Sequence, residues 1–390
     1  MGEAGRQVVR VSSAISEIDR DDWDRLANPQ AATYNPFVSH AFLQALEDAG
    51  TVCPKTGWIP QHLTAEDGAG LSAAMPLYVK THSRGEYVFD AGWADAFARA
   101  GGAYYPKLQV AVPFTPVPGR RLLTRGESAT HGLHLLAAGS VTLAEKLEAS
   151  SVHITFLTRP EWEALGRIGF LQRIDQQFHW LNAGYATFDD FLDTLASRKR
   201  KAIRKERAAA LEEGITVEHL TGSGITEAHW DAFYEFYVDT GSRKWGRPYL
   251  NRKFFSLIGA AMPERTLLIL AKQAGRYVAG ALNFIGGDCL YGRYWGEAGH
   301  HPFLHFEICY YQAIDYAIAH GLPRVEAGAQ GEHKLARGYM PTQTYSAHFI
   351  ADAGLRRAVE HYLVREREAV RETSELLASL GPFKKPNARP

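Results

Sequence analysis

The chain has 390 residues, 46% of them hydrophobic and 22% charged, with Lys+Arg and Asp+Glu both at 43 and no formal net charge. This is the composition of a globular protein of about two domains, and it excludes a largely disordered chain. Balanced charge also excludes a polycation built to coat DNA, so any attraction to phosphate must be local.

Residues 34–50, YNPFVSHAFLQALEDAG, read as an entry turn and a helix capped by Ser39, with Phe42, Leu43 and Leu46 on one face. Strand patterns follow near 71–80, 86–90 and 107–112, then a Pro/Gly-rich loop at 113–121. A helix is expected over 140–150, a strand over 152–157, a short helix from Arg159 and a strand over 170–181. Phe188 to Glu213 reads as one long helix stopped by Gly214. A strand over 215–220 and helices over 226–240 and 251–261 come next. Strands over 265–273, 276–286 and 288–296 are joined by Gly275 and Gly286-Gly287, which is hairpin chemistry. A helix over 304–320, strands over 323–329 and 344–350, and a charged amphipathic helix over 352–378 complete the pattern.

Each half therefore reads helix, meander, helix, strand, strand. The expected fold is α/β, two lobes of mixed sheet flanked by helices. The expected boundaries are an N-terminal extension over 1–33 packed on the first lobe, lobes over 34–181 and 182–351, a C-terminal helix over 352–380 and a disordered tail over 381–390. No signal-peptide core and no run of about 18 apolar residues occurs, so no membrane span is expected. Three well-separated cysteines, Cys53, Cys289 and Cys309, imply a reducing, cytoplasmic setting, and no metal-ligand spacing is present.

Three stretches carry a family resemblance. They are GEYVFDAGWADAF (85–97) with YYPKLQVAVPFTPVPGRRLL (104–123), LYGRYWGEAGHHPFLHFEICYYQAIDYAIAHGL (290–322), and EAGAQGEHKLARGYMPTQTYSAH (326–348). Together they resemble the bacterial FemAB-like proteins of the GNAT superfamily, described as N-acyltransferases or as peptidoglycan biosynthesis/recognition proteins. The resemblance covers roughly residues 34–370 and implies tandem GNAT-like lobes. It also implies transfer of an acyl or aminoacyl group to an amine acceptor, a small molecule or a peptide. The donor it implies is acyl-CoA or aminoacyl-tRNA as a co-substrate, with no permanently bound cofactor. The usual pyrophosphate loop of acyl-CoA enzymes does not appear cleanly near 297–306.

Candidate residues follow from their chemistry. SRKRKAIRKER, 197–207, holds seven cations and one acid, with Arg200 and Arg204 on one helix face and Lys201 beside them. It reads either as a solvated face or as a phosphate-binding stripe, for tRNA among others. GAQGEHKLARG, 328–338, reads as a Gly-rich site loop, with Lys334 and Arg337 able to grip a donor phosphate. Gln330, Glu332 and His333 lie in the same loop, Gln330 as a catalytic candidate and the other two as cleft residues. Glu297, Glu307, Glu326 and His305 are candidate bases for the amine proton, each with an ion-pair or packing alternative. Asp90, Trp93, Trp245 and Tyr249 are candidate walls of a substrate cleft. Cys289 and Cys309 fall in apolar patterns and no GxSxG elbow is present, so direct attack by the amine is expected rather than a covalent enzyme intermediate. The alternative is a non-catalytic GNAT-fold protein that recognises a cell-wall precursor or RNA.

Overall fold

The computed structural model describes residues 8–126, 129–245, 248–328 and 331–384, apart from the side chains of 242–245 and 332. The chain divides into two compact units. Unit 1 comprises residues 1–31, 37–175 and 343–371; unit 2 comprises 32–36, 176–342 and 372–390.

Unit 1 runs β1 (Val9–Ser12), α1 (Arg20–Ala27), α2 (His40–Asp48), β2 (Trp58–Pro60), β3 (His62–Asp67), β4 (Gly70–Met75), β5 (Leu77–Lys80), α3 (Ala91–Arg99), β6 (Lys107–Val110), β7 (Leu123–Thr124), α4 (Ala129–Lys146), β8 (Ser151–Leu157) and α5 (Arg159–Arg167). The chain then passes through β9 (Leu171–Leu181) into unit 2. There it forms α6 (Phe188–Thr194), α7 (Ser197–Ala210), β10 (Thr216–Thr221), α8 (Glu227–Trp245), α9 (Arg252–Ala261), β11 (Thr266–Gln273), β12 (Arg276–Ile285) and β13 (Cys289–Glu297). A helical rod follows, made of α10 (Leu304–Phe306), a π-helical turn (Glu307–Tyr311) and α11 (Gln312–Ala319). Then come β14 (Arg324–Glu326), β15 (Met340–Ile350), which returns to unit 1, and α12 (Ala353–Ser379). Among the described residues no helix is long and apolar enough to cross a membrane.

Unit 1 holds an antiparallel sheet, β1-β3-β4-β7, and a second, mixed sheet in which β15, β8, β6, β5 and β2 are neighbours. The β6–β8 pair is parallel, as the intervening α4 crossover requires. Alternation sorts this second sheet into two chemistries. Leu108, Val110, Val152, Ile154 and Ala347 join the apolar core under α4. Lys80, Lys107, Gln109, His153 and Thr155 take the other positions, and all are buried.

Unit 2 orders its strands β10-β11-β12-β13-β14-β9, antiparallel except for β13–β14. Its core is Leu267, Ile269 and Ala271 of β11 and Ala279 and Ala281 of β12, with Ile308, Tyr311, Ile314 and Ala317 of the rod against them. Ser39 caps α2 by accepting from the Phe42 N–H, as its position before the apolar run predicts.

Five expectations need correction. Residues 71–80 are not one strand: Pro76 lacks an N–H, and β4 and β5 on either side of it join different sheets. Residues 86–90 form no strand; they are a loop whose Glu86 and Asp90 turn inward to Lys107. The helix expected over Phe188–Glu213 breaks at Leu195, which is extended and bridged to Phe383, while the Ala196 N–H donates to Pro382 O at 2.9 Å. That same pairing gives 381–384 of the expected disordered tail a fixed place. The strand expected over 323–329 stops at Glu326, because Gly328 takes a φ of +78°.

The α8–β13 contact depends on a missing side chain. A Cβ on Gly296 would lie 2.2 Å from the Phe236 carbonyl oxygen of α8, a backbone atom that cannot swing aside. Gly296→Ala is therefore expected to cost about 1–3 kcal/mol as overpacking, read as a lower urea midpoint with an unchanged m-value.

Candidate functional site

The last rung between β13 and β14 joins Tyr291 to Glu326. Beyond it β14 ends while β13 continues to Glu297, so the edge at 292–295 is released from that ladder and becomes half-exposed. On the other side of β13 the register against β12 slips between Leu282–Tyr294 and Asn283–Gly292, which leaves Arg293 as an extra, bulged residue. A bulge bends a strand and re-aims its groups, and bulges are common beside active sites. A cavity of about 140 Å³ opens at this split. Its lining includes Asn283 from β12, Gly292–Trp295 from β13, His305, Cys309 and Tyr310 from the rod, and Ala327 just past β14.

Charge holds the split in place. The Arg293 side chain is buried and donates to the Glu326 carboxylate at 3.0 Å and to the carbonyls of Gly292 (3.0 Å) and Glu326 (3.3 Å). Lys334, also buried, donates its Nζ to the carbonyls of Ala327 (2.5 Å) and Gly328 (3.0 Å). Burial, with Arg293 adding repulsion, pushes this lysine down to about 7. Asn283 is fully buried; its amide nitrogen reaches Ala281 O at 3.3 Å, and its Oδ1 has no hydrogen-bond partner.

The cavity sits against the π-helical turn, a feature frequent at functional sites. The extra residue per turn places Cys309 and Tyr310 at the cavity while Glu307 faces away. Cys309 is half-buried at the cavity wall, not sealed in an apolar core as its sequence pattern implies. The His305 ring packs at a tilt against Trp295, centroids 4.9 Å apart, and Tyr310 shares a 2.9 Å hydrogen bond with His333 Nε2.

The structure thus brings Glu326, His305, His333 and Lys334 of the sequence candidates to one place. Others have different occupations. Glu307 is fully buried and takes a two-pronged contact from Arg207, at 2.9 and 3.2 Å, plus Gln312 at 2.8 Å. Its pKa is raised because burial outweighs these partners. It anchors α7 to the rod and is not in the lining of this cavity. Arg337 donates to Glu206 at 2.8 Å and to His333 O at 2.8 Å and lies 3.4 Å over Phe306, so its donors are turned inward rather than towards a phosphate. Lys334 likewise spends its donors on backbone carbonyls. Glu297 ends β13 outside the cavity lining, 3.8 Å from His301. On α7, Arg200 pairs with Asp193 at 3.3 Å and Arg204 with Asp189 at 2.7 Å, while Lys201 is exposed. Tyr249 stands at the surface before α9. Gln330 and the side chains of Trp245 and Glu332 lie outside the described residues.

Asp90 and Trp93 belong to unit 1, where they join a buried polar cluster. Lys107 donates to Glu86 at 2.6 Å, to Ser83 Oγ at 2.9 Å and to Asp90. Tyr104 donates to Asp90 at 2.8 Å and meets His153, whose Nδ1 faces His348 Nδ1 at 2.7 Å. Trp93 packs edge-on against His348. Burial raises Glu86 to about 7, depresses His153 to about 3 and lowers Lys80 to about 7. Burial alone would raise Asp90 too, but Lys107 holds it below the usual carboxylate range. Among the described residues no group of three or more His, Cys, Asp or Glu is arranged to hold a metal.

Sequence reasoning missed Asn283, Gly292, Arg293, Tyr294, Trp295 and Tyr310. The signal available was YGRYWGE, a strand whose two glycines and three rings are unusual for a plain core strand.

Comparison with known proteins places this geometry. The sequence profile of the FemAB-like family, described as peptidoglycan biosynthesis/recognition, matches residues 14–385. No curated protein matches the sequence. Among solved structures, FemX superposes with a TM-score of 0.55 at 14% identity, covering 88% of this chain and 98% of FemX. The C-terminal domain of an Agrobacterium fabrum lysylphosphatidylglycerol synthetase gives 0.54 at 8% identity, covering 90% and 97%. L-PGS from Bacillus licheniformis gives 0.51 at 10% identity, covering 90% and 98%. At these identities the likeness is one of fold.

Two outcomes follow from the buried charges. Unfolded, a lysine holds its proton to about 10.4, whereas folded Lys334 releases it near 7. Between these values the unfolded chain binds the extra proton, so this group makes stability rise with pH. Lys334→Met is expected to reduce the gain in urea midpoint between pH 7 and pH 9, with Lys80 supplying part of what remains. In unit 1, Lys107→Met strands two buried carboxylates and is expected to cost about 3–5 kcal/mol at pH 8. That loss shrinks at lower pH, where Glu86 takes up a proton; urea unfolding at both values checks it.

Proposed function

The chain belongs to the FemAB-like family, and we propose that the β13/β14 split is the acyl-transfer site of an N-acyltransferase. The observation that carries this reading is the released, bulged edge of β13 opening onto a cavity with polar walls. An acyl carbonyl laid along that edge receives backbone N–H groups that no longer serve the β14 ladder, which is an oxyanion site fixed by the sheet. The acceptor amine attacks the carbonyl carbon directly. Its nitrogen loses a proton to neutral Lys334, directly or through one water, and the donor's leaving oxygen or sulfur departs with that proton. A lysine near 7 suits both halves of this exchange at neutral pH. Glu326 acts through Arg293, holding the bulge in register.

The donor is an activated acyl or aminoacyl ester or thioester, and the family's peptidoglycan description supports an amine of a cell-wall precursor as acceptor. The phosphates of such a donor fit α7, where Arg198, Lys199 and Lys201 are exposed while Arg200, Arg204 and Arg207 are occupied by acids. The test is an equilibrium titration of the purified chain with acyl-CoA and with charged tRNA at two salt concentrations. Binding of one donor is expected to be salt-sensitive and to weaken in the Arg198→Gln, Lys199→Gln, Lys201→Gln triple variant. For a single-stranded RNA end the salt slope should fall by about 0.7 per lost phosphate contact. Binding of neither donor would sink the transferase reading in favour of a binding protein. Unchanged binding in the triple variant would reduce α7 to a solvated face.

A further inference from the structure

We infer that Glu206 on α7 is a positioning residue for the transfer site: through Arg337 it sets the turn that carries Lys334. The inference rests on reading Lys334 as the proton acceptor at the split, and three observations carry it.

The first is the way the turn is hung. Lys334 lies on a single helical turn, Glu332–Arg337, with Gly331 at φ +116° before it and Gly338 at φ +87° after it. The turn lies between β14 and β15 and belongs to neither strand. Glycine restrains the backbone little on its own, so contacts made by the turn decide where Lys334 stands.

The second is a ring of contacts around that turn. Arg337 is buried; its Nη2 donates to Glu206 at 2.8 Å, and its Nη1 donates at 2.8 Å to the carbonyl of His333, the residue before Lys334. Its guanidinium lies 3.4 Å over the Phe306 ring. The Tyr311 hydroxyl also donates to Glu206, and the Tyr310 hydroxyl meets His333 Nε2 at 2.9 Å. Two consecutive tyrosines of the π-helical turn thus reach the two ends of the path Glu206–Arg337–His333.

The third is what Glu206 stands on. Arg207, next along α7, is held by Glu307 at 2.9 Å and Asp315 at 2.6 Å. The helix therefore cannot turn or slide without breaking both ion pairs, and Glu206 is a fixed acceptor. Its bonds are charge-assisted, about twice as strong as neutral ones. Lys334 keeps its Nζ on the Ala327 and Gly328 carbonyls only while the turn keeps its place. The helix that offers exposed cations to a donor's phosphates thus also sets the proton acceptor.

The test follows the Lys334 Cε signal by NMR in the full chain grown with isotope-labelled lysine, with no donor or acceptor present. The signal is assigned by its loss in Lys334→Met, and in the wild type it is expected to titrate near 7. In Glu206→Ala the loosened turn lets water reach the ammonium, so the midpoint should rise by about one unit or more, a tenfold change in proton affinity. Losing a nearby negative charge by itself moves a lysine the other way, so the sign separates positioning from a direct field effect. Glu206→Gln keeps an acceptor without the charge and should move the midpoint in the same direction by less, which covers the case where the alanine variant does not fold. A Glu206 that only stabilises the fold would lower the urea midpoint and leave the Lys334 titration where it was. That outcome, a fall in the titration midpoint, or a wild-type Lys334 that titrates at the usual lysine value overturns the inference. Because the readout needs no donor, a midpoint that rises in a protein binding neither acyl-CoA nor charged tRNA keeps the hold of Glu206 on Lys334 and loses the transferase reading.

Discussion

Everything at the candidate site follows from one point of divergence, where β13 and β14 part after the Tyr291–Glu326 rung. A parallel pair that stayed closed would consume the edge groups of 292–297 in a ladder and leave no cavity. The parting is held by buried electrostatics. Arg293 ties the bulged strand to Glu326 at the end of β14, and Lys334 ties the chain beyond it at the carbonyls of Ala327 and Gly328. Both cations are buried, so each contact is little screened and each would be costly to break. The gap is therefore a built feature with fixed walls.

Both units bury polarity. In unit 1 Lys107 is shared between two carboxylates, and a chain of hydrogen bonds runs through Tyr104, His153 and His348 to Ser346. That network ties the 82–90 loop to the sheet, although Asp90 Oδ1 and Gln109 Oε1 keep no hydrogen-bond partner. In unit 2 Asn283 Oδ1 is likewise buried without a partner.

The helical rod behind the cavity serves both needs. Its π-helical turn adds a residue and rotates the face, so Glu307 turns to Arg207 while Cys309 and Tyr310 reach the cavity. The basic helix α7 is thereby fastened to the site's back wall through its one arginine that faces inward. Arg198, Lys199 and Lys201 of the same helix are exposed.

The sequence alone determined the order of elements, because local chemistry sets it. The hairpin glycines at 275 and 286-287 delimit β11–β13, Ser39 caps α2, and the apolar periodicity marks the helices of both units. The family motifs also contain Glu326, His305, His333 and Lys334, which lie in and around the β13/β14 split. Tertiary structure decided the rest. That Glu307 turns to Arg207 while Cys309 and Tyr310 reach the cavity depends on a π-helical turn that 3.6-residue periodicity does not encode. The bulge at Arg293 arises from the register between two strands, and the orphaned oxygen of Asn283 from the close approach of Gly292. Burial and partners are properties of residues distant in sequence brought together in space, and no local pattern of side chains records them.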